Sequence, residues 1–164
     1  MNVLKKLKPL SFLPLILMLM IIFSFSAQDG NDSGELSYEI SYKIIEVKNN
    51  IFHENKTEAE ITKGACDIHF YVRKAGHMTE YFVLCLTIIF PFYLYGMRGW
   101  KLFVMAVIMS ACFAAGDEYH QSFVDGRGPS IIDVGIDTSG ATIGAAVSAL
   151  LLKIKEKIKN VEKK

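Results

Sequence analysis

Ten polar side chains that could carry chemistry fall into three short stretches of this chain. They are Arg73, His77 and Glu80; Asp117, Glu118, His120 and Gln121; and Arg127, Asp133 and Asp137. Carboxylates and histidines commonly transfer protons in enzymes, and arginine binds anionic groups through paired hydrogen bonds. The residue types therefore indicate either acid–base chemistry or the binding of an anion.

The three polar stretches lie beside apolar segments of membrane-spanning length. An ionisable side chain inside a bilayer costs roughly 2.5–3.5 kcal/mol on insertion scales, so such residues are usually functional or paired. Charged residues are absent from 9–28, 81–97 and 102–116, and 131–152 holds only Asp133 and Asp137. Because a spanning helix needs about 20 mainly apolar residues, four such segments predict a polytopic membrane protein.

We expect an all-α protein, a bundle of four transmembrane helices in one domain over residues 1–164. The predicted spans cover about residues 10–27, 70–95, 100–118 and 130–152, and a basic tail covers 153–164. Between spans one and two, the segment 28–69 is predicted to hold one amphipathic helix. Its apolar residues recur at spacings of three or four: Leu36, Ile40, Ile44, Val47 and Ile51.

The distribution of charge predicts the orientation of these spans. Basic residues cluster at the start of the chain, between spans two and three, and in the tail: Lys5, Lys6, Lys8, Arg98, Lys101, and six lysines from Lys153 to Lys164. By the positive-inside rule these regions, and hence both termini, are cytoplasmic. The connection 28–69 carries nine acids against four lysines and is predicted to be extracytoplasmic. The first segment could instead be a cleaved signal peptide, which would leave the other three spans oriented as before.

This topology brings the ten polar side chains to the outer ends of spans two, three and four. We therefore expect them to converge on one extracytoplasmic pocket. The alternative is an ion-pair network that fixes the register of the helices, with Arg73 paired to Asp117 or Glu118 and Arg127 paired to Asp133. Either arrangement would offset the cost of placing charges at the membrane edge.

Other functional classes have weaker support in the sequence. His77, Glu80, Glu118 and His120 could bind a metal but lack the fixed spacing of known zinc motifs, so we predict neither a metal nor a cofactor. The three cysteines fit no metal-binding or disulfide pattern, and the basic residues form no nucleic-acid-binding motif. No nucleophile stands out. Acid–base catalysis is the one enzymatic role that the residue types suggest, and whether the protein is an enzyme stays open.

The polar stretches resemble, in order, several motifs of the VanZ-like family of bacterial membrane proteins. The matching segments are 23–28, Arg73-Lys74 with His77 and Glu80-Tyr81, Asp117-Glu118 with Gln121 and Phe123, Gly126-Arg127, and Asp133 with Asp137-Thr138 and Gly140. The resemblance covers most of the chain, but no family motif falls in 29–69. It implies a multi-pass protein of the bacterial plasma membrane and a role in low-level resistance to teicoplanin, a lipid-tailed glycopeptide antibiotic.

The resemblance implies no catalytic activity. We expect the outward-facing pocket to bind an amphiphile, or to alter its access to cell-wall precursors, with Arg73 and Arg127 meeting an anionic group. His77, Glu80, Asp117 and Glu118 would hold or polarise that group. The alternative is an intramembrane enzyme that modifies a lipid or cell-wall intermediate by acid–base or metal-assisted chemistry. The expected partners are membrane lipids and an amphiphilic ligand or cell-wall lipid intermediate, and the sequence leaves the oligomeric state open.

Overall fold

The structure, a computed structural model, describes residues 8–161 apart from the side chains of Asn31 and Asp32. A 3-10 turn, Lys8–Phe12, leads into five α-helices: α1 Leu13–Ser26, α2 Gly30–Phe52, α3 Glu58–Leu94, α4 Gly99–Gln121 and α5 Ile131–Val161. Within these residues the chain forms no strand. Lys5, Lys6, Lys163 and Lys164, which contributed to the predicted orientation, lie outside the described residues.

Four of the helices are long and apolar enough to cross a membrane. They are the 3-10 turn together with α1 (Lys8–Ser26), α3 (Glu58–Leu94), α4 (Gly99–Gln121) and α5 (Ile131–Val161). The predictions of an all-α fold and of four membrane spans are therefore confirmed, and the chain is a multi-pass membrane protein. The side of the membrane that each connection faces stays a prediction.

Helix α3 begins well before the predicted start of the second span near Phe70. Thr57 caps it: the Thr57 side chain accepts a hydrogen bond from the Glu60 backbone N–H, and the Glu60 carboxylate accepts one from the Thr57 backbone N–H at 2.8 Å. The helix has 37 residues, about 55 Å at 1.5 Å per residue, against a hydrocarbon core of about 30 Å. Its first turns thus extend beyond the span. Helix α5 likewise continues through the predicted tail to Val161.

Helix α2 returns along this extension of α3. Ser41 and Ile45 are buried on α2, and a methyl group on Gly64 of α3 would lie 3.4 Å from the Ile45 side chain. Small residues at this contact allow the two helices to approach closely. The apolar residues that predicted the helix, from Leu36 to Ile51, are 43–65% exposed on its other side.

The core of the bundle lies between α3, α4 and α5. Tyr81, Leu84 and Ile88 of α3 are fully buried, and the fully buried apolar residues that the other two helices add to this core are small: Ala106, Ala114, Ala141 and Ala145. On α5, Gly140 and Gly144 approach the α3 backbone at Met78 and Phe82 so closely that a methyl group on either would overlap a carbonyl oxygen. Gly140 and Gly144 therefore form a surface of small residues against which α3 packs closely.

The start of α2 is fixed to the connection between α4 and α5. The Gly30 backbone N–H donates to the Asp125 carbonyl at 3.2 Å. A Cβ atom on Gly30 would lie 2.5 Å from the Gly126 carbonyl oxygen, and Gly126 itself has a φ of 73°, which favours glycine. This close backbone contact places Arg127 beside the ends of α1 and α4.

Candidate functional site

Helices α3 and α4, together with the connection from α4 to α5, bring polar side chains together at the end of the bundle where α4 ends and α5 begins. On α3, Arg73, His77 and Glu80 are spaced by four and three residues, so they share one helix face. On α4, Asp117 and Gln121 are one turn apart, and the Gln121 Nε2 donates to the Asp117 Oδ2 at 2.9 Å. Arg127 approaches from the connection that follows α4.

These six side chains line one cavity of about 230 Å³. Its remaining walls come from the end of α1 and the first turns of α2, including Ser26, Ser33 and Ser37. Serine hydroxyls both donate and accept hydrogen bonds, so the cavity offers cationic, anionic and neutral polar groups. The structure thus gathers six of the ten candidate residues around one space.

The two arginines of this cavity form no direct ion pair with any side chain that the structure describes. Among the residues that the structure describes, no carboxylate oxygen lies within 4.0 Å of Arg73 or Arg127. The Arg127 Nη1 donates to the Ser26 carbonyl at 3.3 Å. The Arg127 Nε is buried and has no hydrogen-bond partner among the described residues. The pairs of Arg73 with Asp117 or Glu118, and of Arg127 with Asp133, which the sequence left open, do not form.

Burial lowers the pKa of Arg127, and the nearby positive charge of Arg73 lowers it further. The charges of Asp117, Glu118 and Asp29 act in the opposite direction. Arginine stays protonated despite such shifts because its ordinary pKa lies far above neutral pH. Two like charges at one partly buried cavity therefore repel each other, and a bound anion would relieve that repulsion.

Three further acids of the candidate set lie behind this cavity, between α3, α4 and α5. Asp133 pairs with the Lys74 Nζ at 2.5 Å. The Glu118 Oε2 accepts a hydrogen bond from the Ser130 backbone N–H at 2.7 Å, which joins the end of α4 to the start of α5. Lys74 and Ser130 therefore act as partners of the predicted acids, although sequence reasoning assigned neither a role.

Asp137 is the most enclosed member of the set, with a side chain 1% exposed. Neither of its carboxylate oxygens has a hydrogen-bond partner among the described residues, and the same holds for the Glu118 Oε1 and the Tyr81 hydroxyl. The His77 Nδ1 lies 4.0 Å from the Asp137 Oδ1. Since His77 also lines the cavity, its ring connects the cavity to this buried acid.

His120 does not line the polar cavity. Its ring packs against Phe23 of α1 with centroids 4.6 Å apart, and its Nδ1 lies 3.4 Å from the Ser26 hydroxyl. Over residues 8–161, no three His, Cys, Asp or Glu side chains lie close enough to hold a metal ion. The four residues weighed above as metal ligands, His77, Glu80, Glu118 and His120, thus do not form a metal-binding cluster.

An apolar groove of about 500 Å³ adjoins the polar cavity. It runs between α1, α3 and α4 and is lined by Ile16, Leu19, Met20, Phe23, Tyr81, Leu84, Cys112, Phe113, Gly116 and His120. Ile22 and Asp117 line both the groove and the cavity. Ile16, Met20 and Phe23 are 52–61% exposed, so this side of the groove faces the surroundings of the helix bundle. A polar cavity and an apolar groove therefore share one wall.

The comparisons with known proteins agree with the resemblance drawn from the motifs. A family model described as VanZ/LLP1 matches residues 11–152, which is most of the chain and includes all ten candidate residues. No curated protein and no solved structure matches.

Proposed function

The chain belongs to the VanZ/LLP1 family, and on that premise we propose that it binds an anionic amphiphile at the membrane surface. The polar cavity would hold the anionic group, with Arg73 and Arg127 as its main ligands. The apolar groove would hold the hydrocarbon tail. Bound in this way, a lipid-tailed glycopeptide of the teicoplanin type would be kept from cell-wall precursors, which would account for the low-level teicoplanin resistance that the family resemblance implies.

One observation carries this proposal. Two guanidinium groups, neither within 4.0 Å of a carboxylate oxygen of the described side chains, line a cavity. The wall of this cavity at Ile22 and Asp117 is also the wall of an apolar groove. Arginine is well suited to bidentate recognition of carboxylate and phosphate groups, whereas the groove suits an alkyl chain. An amphiphile satisfies both surfaces at once, and a small soluble anion would satisfy only one.

The proposed orientation places this site on the extracytoplasmic side. Helix α4 separates the site near Gln121 from Arg98 and Lys101 at its other end, a distance of about 34 Å along 23 residues. The positive-inside rule assigns the basic end to the cytoplasm. A site on the outer face would meet an antibiotic before the antibiotic reaches its target.

A susceptibility assay tests the proposal. A sensitive bacterial host would carry an empty vector, the wild type or Arg127→Gln, at matched membrane levels. We expect the wild type to protect against teicoplanin but not against vancomycin, and Arg127→Gln to lose that protection. Lys63→Gln is the matched control, because Lys63 is an exposed cation of α3 that does not line the cavity. Equal protection by Arg127→Gln and the wild type would contradict the proposed role of the cavity.

A second candidate function is acid–base catalysis on a lipid or cell-wall intermediate. The observation that favours it is the set of buried oxygens without partners at Glu118, Asp137 and Tyr81, beside His77. Glu118→Gln keeps an oxygen that can accept the Ser130 hydrogen bond but cannot exchange a proton. Loss of protection in Glu118→Gln, with expression and thermal stability unchanged, would favour catalysis, and retained protection would favour binding alone.

A further inference from the structure

A second cavity, of about 360 Å³, lies at the opposite end of the bundle from the polar site. Helices α3, α4 and α5 all contribute to it, and its floor is apolar: Ile89, Leu102, Phe103, Ala145, Ala149 and Leu152. Its polar rim consists of Tyr93, Arg98, Ser148, Lys153 and Glu156. The cavity thus combines an apolar interior with a rim that carries two cations and one anion.

Arg98 is held in place at this rim. Its Nη1 donates to the Tyr93 carbonyl and, at 2.7 Å, to the Met97 carbonyl, while the guanidinium lies 3.6 Å from the centroid of the Tyr93 ring. Its Nε and Nη2 make no hydrogen bond with the described residues. One edge of the guanidinium is therefore pre-positioned and available for an outside acceptor.

The two cations of the rim, Arg98 and Lys153, form no ion pair with the described carboxylates. Neither Arg98 nor Lys153 has a carboxylate within 4.0 Å in the part of the chain that the structure describes, although Glu156 lies on the same rim. Leu150, Leu151 and Ile154, which flank Lys153 on α5, are 47–60% exposed. The rim therefore lies where apolar helix surface meets charged helix surface, which is where lipid headgroups are found.

We propose that this cavity binds an anionic phospholipid, with the headgroup phosphate on Arg98 and Lys153 and an acyl chain against the apolar floor. Basic pockets between transmembrane helices recognise acidic headgroups in this way. A lipid without net charge would make the same apolar contacts with the cavity floor, but it would supply no net negative charge to the cations of the rim. The proposal concerns a site about one membrane thickness away from the polar cavity and does not depend on the proposed function.

The chain contains a natural reporter for this site. Trp100 is the single tryptophan; it is 75% exposed and stacks on Phe103, with ring centroids 5.5 Å apart. Phe103 in turn lines the cavity. A lipid whose acyl chain carries bromine quenches tryptophan fluorescence at short range, so quenching of Trp100 reports which lipids reside at this cavity.

The experiment reconstitutes the full chain in phosphatidylcholine vesicles that contain a fixed minor fraction of brominated phosphatidylglycerol or of brominated phosphatidylcholine. We expect the anionic lipid to quench more strongly in the wild type. Lys153→Gln should weaken this preference about fivefold, the contribution of one basic group at a membrane surface. Lys155→Gln, an exposed neighbour that does not line the cavity, should leave it unchanged.

Three results would overturn the proposal. Equal quenching by the two lipids in the wild type would show that the cavity does not select the anionic headgroup. Equal losses in Lys153→Gln and Lys155→Gln would show a diffuse attraction of the whole basic surface rather than a site. Inorganic phosphate, compared with sodium chloride at the same ionic strength, tests whether the bound anion is a lipid headgroup or a free anion. We expect phosphate not to displace the brominated lipid. Displacement by phosphate but not by sodium chloride would assign the site to a soluble anion instead.

Discussion

Replacing Gly140 by alanine tests the packing on which the site depends. A Cβ atom at this position would overlap the Met78 carbonyl oxygen of α3 and lie 2.9 and 3.1 Å from the carbonyl carbon and Cα of the same residue. These are backbone atoms, so they cannot rotate away as a flexible side chain would. The two helices must separate, so Asp137, about one turn before Gly140 on α5, and His77, the residue before Met78 on α3, must move with them.

The magnitude follows from two opposing contributions. Overpacking a tight interface costs about 1–3 kcal/mol, whereas alanine is favoured over glycine in a helix by roughly 0.5–1 kcal/mol. Gly135→Ala supplies the matched control, because Gly135 lies on the same helix and a methyl group there would meet nothing within 4 Å. Both variants share the helix-propensity gain, so the difference between their stabilities measures the packing cost alone, which we expect to be about 1–3 kcal/mol.

The assay is unfolding of the purified protein in mixed micelles by increasing sodium dodecyl sulphate, followed by far-UV circular dichroism. Gly135→Ala should unfold at or slightly above the denaturant fraction of the wild type, and Gly140→Ala clearly below it. If Gly140→Ala is as stable as Gly135→Ala, then α3 and α5 do not approach as closely as described. The 4.0 Å distance between the His77 Nδ1 and the Asp137 Oδ1, which depends on this close approach, would then also be contradicted.

Three further predictions concern a charge pair, a helix cap and the orientation of the chain. A double-mutant cycle on Lys74→Met and Asp133→Asn should give a coupling of about 1–2 kcal/mol in unfolding free energy, because the pair is about four-fifths buried at 2.5 Å; zero coupling would contradict it. Thr57→Ala should lower stability by about 1 kcal/mol and speed amide exchange only in the first turn of α3, and unchanged exchange there would contradict the cap. A membrane-impermeant maleimide should label the exposed Cys66 in intact cells, whereas the exposed Cys112 of α4 should react only with a lipid-soluble reagent; labelling of Cys66 only after lysis would reverse the orientation.

Hydropathy located the membrane spans because a bilayer accepts only helices whose length and composition match it. It could not locate the helix ends. The first turns of α3 are polar, and they are helical because of the Thr57–Glu60 cap and the contact with α2 around Ile45 and Gly64. Mean hydropathy over a sequence window does not detect such local hydrogen bonds and tertiary contacts.

Periodicity predicted α2 but not which of its faces packs. The apolar stripe of α2 is its most regular feature, yet Ser41 and Ile45 contact α3. Small residues allow closer approach of two helices than large apolar ones do, and Gly64 and Ala65 lie on the facing helix. On α5 it is again small residues that pack: Gly140 and Gly144, four residues apart on one helix face, lie against the α3 backbone.

Topology placed the ten candidate side chains at one end of the bundle, but it could not predict which six of them line the cavity or how the others pair. Adjacent helix positions differ by about 100°, so Arg73 lies at the cavity while Lys74 reaches Asp133 on α5. Two such steps, about 200°, separate Glu118 from His120, which packs on α1. Charge and spacing alone treat these neighbours as equivalent, and only the relative rotation of the helices distinguishes them.

Direct binding tests the central claim, that the cavity and groove together hold an anionic amphiphile. The measurement is the equilibrium affinity of teicoplanin, and of vancomycin as the untailed comparison, for the purified protein in phosphatidylcholine nanodiscs. We predict saturable binding of teicoplanin alone, weakened about tenfold or more in Arg127→Gln through loss of charge-assisted hydrogen bonds and unchanged in Lys63→Gln. Binding of both drugs with similar affinity, or equal affinity of teicoplanin for Arg127→Gln and the wild type, would contradict the claim.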